Sequence, residues 1–141
     1  MNAFLTIALL TLFVVLHELG HYISAKRSKI AVSEFFVGFG PKLFSFKKNN
    51  TEYGLKALLL GGYVKIPGMD ENESVEGYES EELFHTASWT KKLYIASSGI
   101  IVNFVIAWLI LFSIFTFYGV EQPTLQIETI GVSIIDSSSE S

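Results

Sequence analysis

His17, Glu18 and His21 combine residue types and a spacing that can support metal chemistry. Residues four apart lie on one face of an α-helix, so the two imidazoles can converge on one ion. The carboxylate after the first His then stands beside the open position of that ion, where it can accept a proton from water and pass it on. Zinc lowers the pKa of a bound water to about 7. The pattern predicts a Zn²⁺ site with His17 and His21 as ligands and Glu18 as the catalytic carboxylate.

The alternative is a chance match of this motif on a polar helix end. The sequence around the motif argues against a chance match, because residues 3–23 are apolar until they reach His17. Ionisable groups at membrane depth are costly unless they serve a site. We therefore prefer a metal site.

The apolar segment from Ala3 to Ile23 has the length of a membrane span. At about 1.5 Å per residue it covers roughly 30 Å, the thickness of a hydrocarbon core. A cleaved signal peptide is the competing interpretation, but the start carries no basic residue and no Ala-x-Ala site follows. We favour a retained transmembrane helix.

A second apolar segment runs from Leu93 to Tyr118 and is long enough to span with some tilt. Basic residues flank the loop between the two segments at both of its ends, which places the loop on the cytoplasmic side. These residues are Lys26, Arg27, Lys29, Lys91 and Lys92.

The loop between the spans is β-rich. Four short runs carry strand-forming residues and are separated by Gly, Pro or Asn; they are residues 31–36, 42–46, 52–60 and 62–66. Residues 70–82 contain seven acidic side chains and read as a solvated, mobile linker. The fold class predicted is an α-helical membrane protein with two transmembrane helices and a small antiparallel β-sheet between them.

Composition agrees with this organisation. Half of the 141 residues are hydrophobic and 17% are charged, whereas soluble domains carry about a quarter charged residues. The net charge of −4 offers no basic face for nucleic acid. The chain has no cysteine, which leaves His, Asp and Glu to hold a metal. We divide it into a first transmembrane helix (1–25), a membrane-associated β-rich loop (26–69), an acidic linker (70–90), a second transmembrane helix (91–119) and a tail (120–141).

The second span offers a surface for the first. Ser97, Ser98 and Gly99 are small enough for another helix to approach closely. Gly99 is expected at about the depth of His17, from the rise of about 1.5 Å per residue. Asn103 is a lone amide in hydrocarbon that needs a partner, either across the helices or near the site. His85, in a polar segment, is expected at the surface rather than as a third ligand.

Four segments in order resemble the site-2 protease family of intramembrane zinc metalloproteases, in its bacterial branch with a PDZ domain. They are His-Glu-Leu-Gly-His at 17–21, Phe-Val-Gly-Phe-Gly-Pro at 36–41, Gly-Gly-Tyr-Val-Lys-Ile-Pro-Gly at 61–68 and Gly-x-x-x-Asn at 99–103. The resemblance covers nearly the whole chain. One departure is Ser98-Gly99-Ile100, where the family usually has Ala-Gly-Pro.

The resemblance implies a zinc metalloprotease that cleaves membrane-embedded segments, with single-span membrane proteins as substrates and the lipid bilayer as surroundings. It implies a multi-pass protein of the bacterial cytoplasmic membrane, with the loop 26–92 in the cytoplasm. Asn103 would help to position the substrate. An unwound substrate segment would pair as an added strand with Gly61, Gly62, Tyr63, Val64 and Lys65.

The family's third zinc ligand is an Asp on a later span, and this chain ends before any such span. The tail resembles at most the first strand of a PDZ domain. We therefore expect first that this chain is the amino-terminal part of an enzyme. The alternatives are an inactive, truncated relative that binds transmembrane segments without cleaving them, and a small membrane scaffold with a fortuitous motif.

Overall fold

The computed structural model describes residues 2–70 and 77–119. Its elements, in chain order, are α1 (Ala3–Arg27), β1 (Glu34–Lys48), β2 (Thr51–Lys65), a short 3₁₀ turn (Ser80–Glu82) and α2 (Trp89–Tyr118). Two long helices thus flank one small antiparallel sheet, which confirms the predicted fold class. Residues 71–76 of the predicted acidic linker and the tail at 120–141 lie outside the described residues.

Both helices are long and apolar enough to cross a membrane. Their apolar side chains face outward, as at Phe4 and Phe104, which are 83% and 74% exposed. A helix exposed in this way is stable only in an apolar solvent such as lipid. α1 continues past its apolar run to Arg27, because Ser24 and Ala25 pack inside the protein and basic side chains suit the last turn of a helix.

The strands β1 and β2 form a hairpin whose turn is Asn49-Asn50. Both residues have positive φ, 49° and 60°, as tight hairpin turns require. Residues 34–37 have partners on two sides, because they pair with 62–65 as well as with 52–55. The flanking Ser33 shows the same arrangement, since its N–H donates to Lys65 and its carbonyl accepts from Glu52.

The division of the loop into four strands was wrong, because the chain forms two strands of 15 residues each. The reason lies in the glycines that were read as breaks. Gly38, Gly40 and Gly61 have positive φ of 87°, 87° and 131°, so they bend the strands without ending them.

A small core joins the helices to the sheet at the end of α1. It contains Ala25, Ile30, Val32, Ile66 and Ile95, all nearly inaccessible to solvent. The segment before α2 packs beside this core, where Leu83 is buried and Phe84 N–H donates to the carbonyl of Pro67. This core fixes the sheet against both helices and so holds β2 alongside α1.

Candidate metal and peptide-binding site

The two helices touch through small residues. A Cβ added at Gly20 of α1 would lie 2.8 Å from the backbone oxygen of Ser98 in α2. The hydroxyls of Ser24 and Ser98 are 2.9 Å apart and buried. Small residues at this crossing let the backbones approach closely, as the second span's sequence led us to expect.

His17 and His21 converge over the surface of α2. Their Nε2 atoms are 3.1 Å apart, and a Cβ added at Gly99 would lie 2.6 Å from each of them. Two nitrogens bound tetrahedrally to zinc at about 2.05 Å are about 3.3 Å apart. The imidazoles therefore fit one tetrahedral ion, and Gly99 leaves the space that this arrangement needs.

The far side of the His21 ring is anchored. Its Nδ1 is 2.7 Å from the carbonyl oxygen of Ile95, which can only accept, so Nδ1 carries the proton. The Nε2 lone pair is then free toward the ion, which is the usual arrangement for a metal-binding His. The hydroxyl oxygen of Ser98 also lies within hydrogen-bond distance of this Nδ1, at 3.3 Å.

The far side of the His17 ring contacts Asn103. The amide Nδ2 of Asn103 is 3.3 Å from Nδ1 of His17. Its Oδ1 is buried and has no hydrogen-bond partner among the described residues. The lone amide of the second span thus lies beside the pair formed by His17 and His21.

Glu18 points toward the sheet. Its Oε2 accepts a hydrogen bond from the backbone N–H of Val64 at 3.2 Å. About two turns earlier on α1, the hydroxyl of Thr11 donates to the carbonyl of Leu59 at 2.5 Å. β2 therefore runs along α1 and brings its edge to the His-Glu-x-x-His motif.

The five residues predicted to pair with a peptide lie on this edge. Gly61 and Gly62 are buried, and a Cβ added to them would lie 3.4 Å and 3.5 Å from Val14 and Val15 of α1. The Lys65 carbonyl accepts from Ser33 on the side of β1.

Tyr63 holds the outer part of the sheet together. Its hydroxyl donates to Glu34 at 2.6 Å and accepts from the Lys56 ammonium at 2.9 Å. Burial and the neighbouring carboxylate of Glu34 raise the pKa of Tyr63 above its ordinary value, so the hydroxyl remains a donor. Its ring also stacks on Phe36 at 5.7 Å between centroids.

Within residues 2–70 and 77–119, no third His, Asp or Glu joins the two imidazoles to complete a metal-binding group. His85 is exposed and lies beside Gly68, where an added Cβ would meet its Nδ1 at 2.6 Å. The sequence did not indicate the Ile95 carbonyl as a partner of His21, because a backbone acceptor carries no residue-type signal.

Two apolar helices, with a paired-His and Glu motif on one and a small sheet against it, are the features expected of a membrane-embedded metallopeptidase. A family model, Peptidase family M50, matches residues 5–139. The chain belongs to this family, and the resemblance to site-2 proteases is confirmed.

Curated relatives carry consistent names. The chain is 40% identical over 106 residues to Membrane metalloprotease ARASP, chloroplastic, of Arabidopsis thaliana, covering 75% of this chain and 24% of that protein. It is 35% identical over 113 residues to a protein named as a zinc metalloprotease in Fusobacterium nucleatum, covering 79% and 32%. A similarly named protein of Clostridium acetobutylicum is 34% identical over 124 residues, covering 88% and 35%. The chain thus spans about a quarter to a third of these relatives.

Proposed function

We propose that this chain carries the metal-binding and proton-transfer residues of a zinc peptidase that hydrolyses peptide bonds in the membrane. The observation that supports this most directly is the convergence of the His17 and His21 Nε2 atoms, 3.1 Å apart above Gly99. Membership of Peptidase family M50 and the names of the relatives agree with zinc as the ion.

In this proposal His17 and His21 would hold zinc, which when bound would lower the pKa of a water molecule and polarise a peptide carbonyl. Glu18 is not a ligand. Its carboxylate takes the proton from the attacking water and delivers it to the leaving amine. The helix places Glu18 one residue from His17, so the carboxylate can face the open side of the ion without occupying a ligand position.

The proposed site needs a third protein ligand. A catalytic zinc site has three protein ligands and one open position, and the described residues supply two imidazoles. We propose an Asp on a further span of a longer protein, in accord with the share of the relatives that this chain covers.

Substrate binding is proposed at the edge of β2. A transmembrane helix has no free backbone donors, so it must unwind before a peptide bond can be attacked. An unwound segment can then add to a strand edge through main-chain hydrogen bonds. Residues 62–65 pair with β1 through one edge, and on the other edge the Val64 N–H lies at Glu18. We propose single-span membrane proteins as the substrates, with Asn103 also close to the bound segment.

The proposed location is a bacterial cytoplasmic membrane with residues 26–92 on the cytoplasmic side. The basic residues at both ends of that loop support this orientation. A cysteine introduced at exposed Lys47 should react with an impermeant maleimide only after the cytoplasmic side is opened. Labelling of sealed cells would reverse the proposed topology.

The experiment that tests the function is cleavage of a single-span substrate by the complete protein in detergent, with zinc content measured in the same preparation. Cleavage that is lost on chelation and restored by zinc supports the proposal. Zinc-loaded protein that captures the segment and never cuts it would instead favour a binding protein derived from the enzyme.

A further inference from the structure

The contact between Asn103 and His17 determines which nitrogen of the His17 ring can face a metal ion. The hydrogen bonds run as a chain, in which the amide Nδ2 of Asn103 faces Nδ1 of His17 at 3.3 Å and the two Nε2 atoms face each other at 3.1 Å. With the amide in this orientation Nδ2 would donate to Nδ1 of His17, and the ring would then carry its proton on Nε2. A ring protonated on Nε2 cannot offer that atom to an ion.

His21 shows what a ligand ring requires. Its Nδ1–H donates to the Ile95 carbonyl at 2.7 Å, which leaves Nε2 unprotonated. His17 needs the same arrangement, an acceptor at Nδ1, because a neutral imidazole carries one proton. Among the described residues, the side chain that forms a hydrogen bond with Nδ1 of His17 is Asn103.

We infer that Asn103 is the positioning residue that fixes the protonation of His17, by presenting its Oδ1 to Nδ1–H when zinc is held. A half-turn of the amide exchanges Oδ1 and Nδ2 without changing the shape of the side chain. Burial does not oppose this turn, because Oδ1 is already buried without a partner in its present place. The inference rests on the proposed zinc site and goes beyond it, since Asn103 acts on the ligand and not only on substrate.

The test compares two replacements of Asn103 in the complete protein. Leu has a similar size and no acceptor, so Asn103→Leu should weaken zinc binding by about 10- to 100-fold, the usual effect of removing an outer partner of a ligand. Asp retains an acceptor oxygen whether it is charged or protonated, so Asn103→Asp should bind zinc nearly as well as the wild type. Ser113→Leu is the matched control, because the Ser113 hydroxyl bonds only to Leu109 of its own helix.

The measurement is zinc retention against a graded chelator, together with ¹⁵N spectra of the imidazoles in zinc-loaded protein carrying His85→Gln. Both His17 and His21 should show a proton on Nδ1. Equal zinc retention by wild type and Asn103→Leu, equal losses in the Leu and Asp variants, or an unprotonated His17 Nδ1 would each overturn the inference. Wild-type protein that retains no zinc at all would instead refute the proposed function itself.

Discussion

The carboxylate of Glu18 accepts the backbone N–H of Val64 at 3.2 Å, across 46 positions of sequence. This bond ties the His-Glu-x-x-His motif of α1 to the edge of β2. The donor that Glu18 engages is one that an added peptide strand would use. The residue proposed to move the proton and the strand proposed to bind the peptide are therefore in direct contact.

The strand edge can be tested by removing that donor. In the complete protein, Val64→Pro should slow cleavage of a single-span substrate by about tenfold or more, since proline lacks the N–H that pairs with a peptide. The fold should tolerate it, because Val64 N–H points away from β1 and proline is accepted at such edge positions. Val64→Ala, which keeps the N–H, is the control. Normal cleavage by the proline variant, with zinc content unchanged, would refute peptide pairing at this edge.

Gly99 gives a steric test of the site. A methyl group at this position would lie 2.6 Å from both Nε2 atoms, so Gly99→Ala should push the rings apart. Zinc affinity should fall by about 10- to 100-fold, the range for disturbing the support of a metal ligand. The helix itself should gain about 1 kcal/mol from the change, so reduced helicity cannot explain the loss. Ser97→Ala is the control, because its hydroxyl bonds only within α2. Zinc content and circular dichroism would be measured on the same samples, and full zinc occupancy of the Gly99 variant would contradict the geometry.

Alanine substitutions can distinguish the two proposed ligands, His17 and His21, from the remaining histidine, His85. His17→Ala and His21→Ala should each reduce zinc in the complete protein to background, whereas His85→Ala should retain one equivalent, since His85 is exposed and apart from the pair. Because the proposed site needs a third ligand, this chain alone should bind zinc more weakly than a longer protein that carries that ligand. One equivalent of zinc in a protein that lacks both His17 and His21 would remove the ligand assignment.

The sequence predicted the elements that depend on local pattern. Apolar runs of membrane length indicated both helices, and the spacing of four indicated that His17 and His21 share a face. Similar expected depths for His17 and Gly99 matched their contact in the structure.

The sequence failed where the outcome depends on three-dimensional placement. Glycine is typical of turns, so the sequence indicated breaks at Gly38 and Gly61. The pairing of β1 with β2 shows instead that both glycines lie within bent strands. The Ile95 carbonyl and the bond from Val64 to Glu18 use backbone atoms, which every residue has, so no residue type could indicate them.

Glu18→Gln separates proton transfer from every other role of this side chain. Gln keeps the size of Glu and an oxygen that can still accept the Val64 N–H, so β2 should remain against α1. It cannot accept a proton, and loss of general acid–base catalysis costs about 10²–10⁴-fold in rate. We expect the variant to retain zinc, to capture a single-span substrate, and to lose turnover toward the upper end of that range. The measurement is turnover beside zinc content in one preparation.

Glu52→Gln is the control, because Glu52 forms a surface ion pair with Lys42 whose loss should leave turnover unchanged. Wild-type turnover by the Glu18 variant would remove this carboxylate from the mechanism, and loss of zinc together with activity would make Glu18 a ligand.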